Sequence, residues 1–286
     1  MPSSSSSSAQ QARQALADQL REIRLGARLS AKELAERAGW HGNTKVSKIE
    51  HGTRPASADD VLTWCRVCGV SESRTTELLA EQRSVAGMWV SYQRLNRAGL
   101  RRAQQSVRQT YDETQLIRAY QSRTFPGLIQ TPGFTTTTLE QVRIRQGVEI
   151  NDVAEAVAER MSRQGILREP NRRFVFLLEE AVLRYRLTDR ETHAGQLRHL
   201  LKVMTLPNVS LGIIPFTADR VSNRPTEGYV IFSDTQVSVE LVSGYLSITQ
   251  PQEIAMYVRE FKGLAAIAAY GDPARSLISE ALTSLD

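Results

Sequence analysis

Cysteine is nearly absent from this chain: two in 286 residues, Cys65 and Cys68, spaced as a single C-x-x-C. A zinc centre takes about four protein ligands, and no second C-x-x-C supplies the rest. A redox pair would sit at a strand-to-helix junction, whereas these two fall inside a predicted helix. Three residues apart, both can face a core, so buried structural thiols are expected. Histidine is also sparse: His41, His51, His193 and His199 make no metal-ligand spacing. There is no glycine-rich phosphate loop. Neither a metal nor a cofactor is expected. No apolar run reaches the ~20 residues of a membrane-spanning helix. The opening MPSSSSSSAQQ has neither the basic region nor the apolar core of a secretory signal, and residues 1–11 read as a disordered serine-rich arm. A cytoplasmic, nucleoid-associated protein with no membrane partner is expected.

Constellations for catalysis are missing too. Glu179 and Glu180 close one strand-like run and Glu240 closes another, and paired carboxylates can serve as general acid and base. Adjacent glutamates usually point to opposite sides, however, and no His, Cys or Ser elbow accompanies them. A helix cap or a buried ion pair with one of the many arginines fits them better. No catalytic residue is expected, and the chain does not read as an enzyme. A DNA-tethered enzyme using these carboxylates is the competing class.

What the chain does have is basic charge in one half. Residues 1–110 carry 17 Lys and Arg against 10 Asp and Glu, and residues 111–286 carry 19 against 21, so a net +5 conceals +7 followed by −2. A basic half gains from releasing the counterions of a polyanion, although a solvated basic face has the same composition.

Hydrophobic spacing divides the chain further. Leu16, Leu20, Ile23 and Ala27 form one stripe of a helix from Ala12 to Ala27, with Arg24 among the residues on other faces. Ser30 with Glu33 has capping-box spacing and opens a second helix that Gly39 ends. Trp40-His41-Gly42 is a turn. A third helix starts at Asn43 or Thr44, buries Val46 and Ile49, and stops at Gly52. Two more cover Ser57–Cys68 and Ser71–Ser84. Residues 12–86 thus form an all-α, five-helix domain and residues 87–113 a polar, partly helical connector. Residues 114–286 form a mixed α/β domain, with strands near 174–178, 209–215, 229–233 and 236–242 and helices near 151–167, 191–205 and 251–269. The class is α+β overall. Trp89, Tyr92, Tyr111, Tyr120 and Phe125 form an aromatic-rich stretch that either packs against the second domain or lines a ligand or partner surface.

The segment from Leu29 to Pro55 satisfies the pattern LS..ELA..AG....T.VS.IE.G.RP at Leu29, Ser30, Glu33, Leu34, Ala35, Ala38, Gly39, Thr44, Val46, Ser47, Ile49, Glu50, Gly52, Arg54 and Pro55. It resembles the Xre/Cro/phage-repressor helix-turn-helix family. Its turn is a residue or two longer than the family's commonest form, which Gly42 accommodates. Ala31 stands where that family often has a phosphate-holding Gln, so this contact is missing or moved to Lys32 or the helix N-terminus. The resemblance implies a DNA-reading surface of Ser30, Lys32, Asn43, Thr44, Lys45, Ser47, Lys48 and Arg54. Asn43 suits adenine, Lys45 or Lys48 suits guanine, and Arg54 suits a phosphate.

In the second domain, Phe125-Pro-Gly-Leu-Ile-Gln-Thr131, Arg160-Met-Ser-Arg163-Gln164, Glu180-Ala-Val-Leu-Arg184 and Asn208-Val-Ser-Leu-Gly-Ile-Ile-Pro-Phe216 follow one another in an order similar to the C-terminal domain of WhiJ-like and related antitoxin-like regulators of actinobacteria. Phe134 followed by four threonines departs from that pattern, as does the stretch Arg220–Thr226. The resemblance implies a transcriptional regulator on double-stranded DNA, with a palindromic operator and hence a homodimer. Its C-terminal domain is then expected to bind a small cognate partner protein or a ligand. An antitoxin-like protein that mainly binds its partner, with DNA binding for autoregulation, is the alternative.

Overall fold

The computed structural model describes residues 8–285, without the side chains of residues 8–11, 83, 84 and 86. Most of the serine arm lies outside the described residues. The part that is described is helical, because α1 runs Ser8–Gly26 and takes in Ala9, Gln10 and Gln11, good helix formers that extend it four residues beyond the expected start. The chain divides into two compact units, residues 1–90 and 91–286. The class is α+β.

The first unit holds α1, α2 (Ala31–Arg37), α3 (Thr44–Glu50), α4 (Ala58–Cys68) and α5 (Glu72–Met88). Leu16, Leu20, Leu34, Val46, Ile49, Val61, Trp64, Cys65 and Leu78 form its core. Burying each large apolar side chain contributes roughly 1.5–3 kcal/mol. Both cysteines are reduced, Cys65 buried and Cys68 partly so, and burial pushes both thiols up, which keeps them unreactive at neutral pH.

The second unit is built on a sheet ordered β1-β7-β6-β5-β2-β3-β4, where β1 (Trp89–Ser91) ends on the unit's first residue. Strands β2 (Leu116–Gln121), β3 (Arg173–Glu179) and β4 (Val209–Ile214) are parallel. Strands β5 (Tyr229–Phe232), β6 (Gln236–Glu240) and β7 (Gly244–Ile248) continue antiparallel from β2. Alternation divides the sheet between two cores. Ile117, Ala119, Phe174, Phe176, Leu178, Leu211 and Ile213 face a layer containing α9 (Pro132–Arg145), α12 (Arg190–Val203) and α14 (Gly271–Thr283). Tyr120, Leu177, Ile214, Tyr229, Ile231, Val237 and Val239 face α13 (Pro251–Ala266) through Ile254, Phe261 and Leu264. Burial on both faces explains why β3 and β4 read as continuous apolar runs.

The stretch expected to be a connector is integral to this unit. It folds as α6 (Tyr92–Asn96), α7 (Leu100–Ser106) and α8 (Arg108–Glu113). Leu100 packs with Leu139, Val153 and Ala156 from α9 and α10 (Val153–Arg163). Arg172, itself buried, donates to the carbonyls of Tyr111 at 2.7 Å, Thr114 at 3.1 Å and Asp112 at 2.5 Å. Arginine-rich composition conceals this role, since the anchoring cation comes from 60 residues downstream of Asp112. Among the described residues, no helix is long and apolar enough to cross a membrane.

Candidate nucleic-acid interface

The turn between α2 and α3 is set by backbone chemistry. Ser30 and Glu33 close a reciprocal cap, Glu33 N–H to Ser30 Oγ at 3.1 Å and Ser30 N–H to Glu33 Oε2 at 2.7 Å. Gly39 and Gly42 take φ of +70° and +72°, left-handed values that a side chain would oppose and that let the longer turn close. Helix α3 then begins at Thr44, with Asn43 at its N-cap.

Burial fixes which way α3 faces. Val46, Ile49 and Glu50 point inward, leaving Thr44, Ser47, Lys48 and His51, spaced at helical intervals, on one exposed stripe. Asn43 is exposed and makes no cap hydrogen bond, so both ends of its amide are unspent. Ser47 lies along the same face, and His51 contacts the Ser47 carbonyl through Nδ1 at 2.7 Å. A carbonyl only accepts, so Nδ1 carries the proton and Nε2 is the ring atom left for an outside group. Periodicity alone, once the helix start is known, would have added His51 to the expected surface.

Two ion pairs, one buried and one half-buried, hold the stripe in place. Glu50 takes a fork from Arg24 on α1, Nε at 2.6 Å and Nη2 at 3.0 Å, while Arg24 Nη1 donates to the Leu29 carbonyl at 2.7 Å. Arg24 lies off the apolar stripe of α1, as its spacing predicts, yet it is only 8% exposed. The second pair corrects the placement of Lys45. Its ammonium is ion-paired with buried Asp60 of α4 and lies 4.1 Å from the centre of the Trp40 ring, which draws it off the outer face. Asp60 also caps α4 with Ser57. Position 45 is one residue on from Thr44, about 100° around the helix, and that rotation points it at α4.

Desolvation pushes the Asp60 carboxyl up. Hydrogen bonds from Lys45 and the Ser57 backbone outweigh it and carry the group below the usual carboxylate range. An acid held lower in the folded state stabilises the fold above its unfolded pKa, ~3.9, and that contribution is lost as pH falls through the folded value. Urea midpoints of the wild type are therefore expected to drop more steeply than those of Asp60→Asn between about pH 5 and about pH 3. Parallel curves would contradict this assignment.

The remaining expected contacts are placed as follows. Lys48 is exposed on the α3 stripe. Arg54 is exposed just beyond it, its backbone N–H tied to the Lys48 carbonyl at 3.0 Å. Lys32 is exposed, 4.0 Å from Glu36. Ser30 spends an oxygen lone pair on the cap and keeps its O–H to donate. Asn43, Thr44, Ser47 and Lys48 are thus brought together, with Arg54 following the helix.

Residues 15–78 match the model of a helix-turn-helix domain, and the first unit is that domain. Residues 104–280, more than half of the chain, match the Domain of unknown function (DUF5753). The chain belongs to the DUF5753 family. No curated protein matches it. Among solved structures, TrmBL2, an archaeal chromatin protein described with a novel mode of DNA binding, is 12% identical with a TM-score of 0.30. That match covers 70% of this chain and 63% of the other. Similarity this low carries no argument about the present fold.

Within the DUF5753 domain the ordered motifs converge. Gln164 Nε2 donates to the carbonyls of Gly127 at 3.0 Å and Gln130 at 2.8 Å. Gln196 clamps the same segment, donating to the Ile129 carbonyl and accepting from Thr131 N–H, both at 2.7 Å. The carboxylates weighed as catalysts are engaged elsewhere. Glu179 is ion-paired with Arg220 and accepts from Tyr120 Oη at 2.7 Å. Glu180 accepts from Arg184 at 2.8 Å and from Phe216 N–H at 2.9 Å. Among the described residues no group of His, Cys, Asp and Glu could hold a metal ion.

Proposed function

We propose that this protein is a sequence-specific transcriptional regulator of double-stranded DNA, whose helix-turn-helix unit reads an operator and whose DUF5753 domain binds a ligand or a small cognate partner protein. The exposed stripe of α3 carries this reading: Asn43, Thr44, Ser47 and Lys48 sit together on a helix locked from behind by Arg24–Glu50 and Lys45–Asp60. A reading helix must present fixed donors and acceptors to base edges. Asn43 matches adenine N6/N7, Lys48 matches guanine O6/N7, and Arg54 and Lys32 serve phosphates. One such helix covers one half-site, so the operator is palindromic and the protein binds as a homodimer. The engagement of Glu179 and Glu180 by internal partners favours a regulator over an enzyme.

Selection of bound duplexes from a random library, followed by footprinting, tests this. An enriched palindrome is expected, with Lys48→Ala weakening it roughly ten- to a hundred-fold and relaxing preference at one base pair. Arg54→Ala should weaken all sequences alike and flatten the salt dependence. Failure to enrich any sequence would overturn the proposal.

A further inference from the structure

Among the described residues, several buried or half-buried arginines meet a carboxylate. Arg24 has Glu50, Arg172 has Glu169 and Arg118 has Asp234. Two in the DUF5753 domain do not. Arg160 and Arg163 lie one turn apart on α10, and neither comes within 4.0 Å of an acidic oxygen among the described residues. Arg160 donates to Gln104 Oε1 at 3.0 Å and Gln130 Oε1 at 2.8 Å. Arg163 donates to the Gln104 carbonyl at 2.9 Å and to the same Gln104 Oε1 at 3.2 Å, with its guanidinium 4.7 Å from the centre of the Tyr111 ring. All of these partners are neutral. Arg163 is 5% exposed, and its Nε is buried with no partner at all.

Two adjacent cations set into protein with no carboxylate at ion-pair distance are costly, and amide oxygens do not neutralise them. Burial, and then the neighbouring Arg163, hold the Arg160 guanidinium down to about 10. Glu240, Tyr111 and Tyr92 act electrostatically on Arg160, and Tyr111, Glu159 and Asp112 on Arg163, none of the three acids within 4.0 Å of either guanidinium. Glu159, the acid nearest in sequence, is held by Arg108 at 2.9 Å. Guanidinium forks suit the paired oxygens of a carboxylate or a phosphate.

We propose that Arg160 and Arg163 form an anion site inside the DUF5753 domain, which takes a small ligand bearing a carboxylate or phosphate group. Arg160 is only partly buried and Arg163 is buried, so Arg160 is the arm such a ligand meets first. This deepens the ligand-binding role given above to the second unit, and rests on it.

The test is calorimetric titration of the full chain with inorganic phosphate and, separately, with acetate, each against chloride at equal ionic strength. Saturable binding of either at one site per chain is expected, phosphate alone marking a phosphate ligand and acetate alone a carboxylate. Arg163→Gln and Arg160→Gln should each weaken it about tenfold or more. Should a variant fail to fold, the Arg163 15Nε resonance of the wild type should still shift along the same titration. No saturable binding and no shift of that resonance, or binding unchanged in both variants, would overturn the site. DNA selection by the wild type is scored independently, so loss of the anion site leaves the regulator reading standing, and the reverse holds too.

Discussion

Glu50→Ala is expected to destabilise the helix-turn-helix unit by about 3–5 kcal/mol, a large share of the ~5–15 kcal/mol that holds a typical domain folded. The reason is asymmetry. Arg24 and Glu50 are 8% exposed each and joined by two hydrogen bonds. Removing one partner strands a buried guanidinium and keeps the full desolvation cost of the other. Replacing both partners by apolar residues of similar volume removes that cost, so Arg24→Met with Glu50→Leu should recover most of the loss. Urea unfolding followed by tryptophan fluorescence reads the unit, because Trp64 packs in its core 5.9 Å from Trp40 and donates to the Leu20 carbonyl at 2.9 Å. DNA affinity should fall with stability, since Glu50 anchors the inner side of the helix whose outer side carries Lys48. A single-variant loss below about 1 kcal/mol would remove this pair from the account of how α3 is held.

Arg172→Ala is expected to cost the second unit about 3 kcal/mol. Its guanidinium satisfies three carbonyls at the end of α8 and the start of β2, and its Nε meets Glu169 at 2.6 Å. Alanine leaves those carbonyls to find water, which the buried Thr114 cannot readily reach. Arg172→Lys restores the charge but not the planar fork, and should recover less than half. A shift in the urea midpoint at unchanged slope would mark a pure stability loss. An unchanged midpoint in Arg172→Ala would return residues 108–113 to the status of a loosely attached connector.

Where local chemistry is strong, sequence and structure agree. Ser30 and Glu33 announce α2 because the cap is a contact between residues three apart, and Ile49 and Val46 announce the inner face of α3 through period alone. Strands β3 and β4 are legible as apolar runs. Helix α9 is not, because Phe134 is followed by four threonines, β-branched residues that disfavour helix. The helix forms regardless, capped by Thr131 with Pro132 at its first turn. Thr136, Thr137 and Thr138 return their hydroxyls to carbonyls four residues back, at 2.9, 3.3 and 3.0 Å. The Thr131-Pro132 start was the available signal. Strand β2 was hidden by Arg118, a charge inside a buried strand, which finds Asp234 at 2.6 Å from across the β5 edge.

The sequence by itself determined that the chain begins with a helix-turn-helix and continues as a mixed α/β domain, since capping, turn glycines and hydrophobic period act over a few residues. Only the tertiary structure decided which cations are free to meet a ligand. Lys45 and Lys48 are alike in composition and three residues apart, yet one is drawn to Asp60 while the other stays in solvent. Arg24, Arg163 and Arg172 look like any surface arginines until the fold buries them. Whether a charge is spent or available depends on partners tens of residues away, and no local pattern records that.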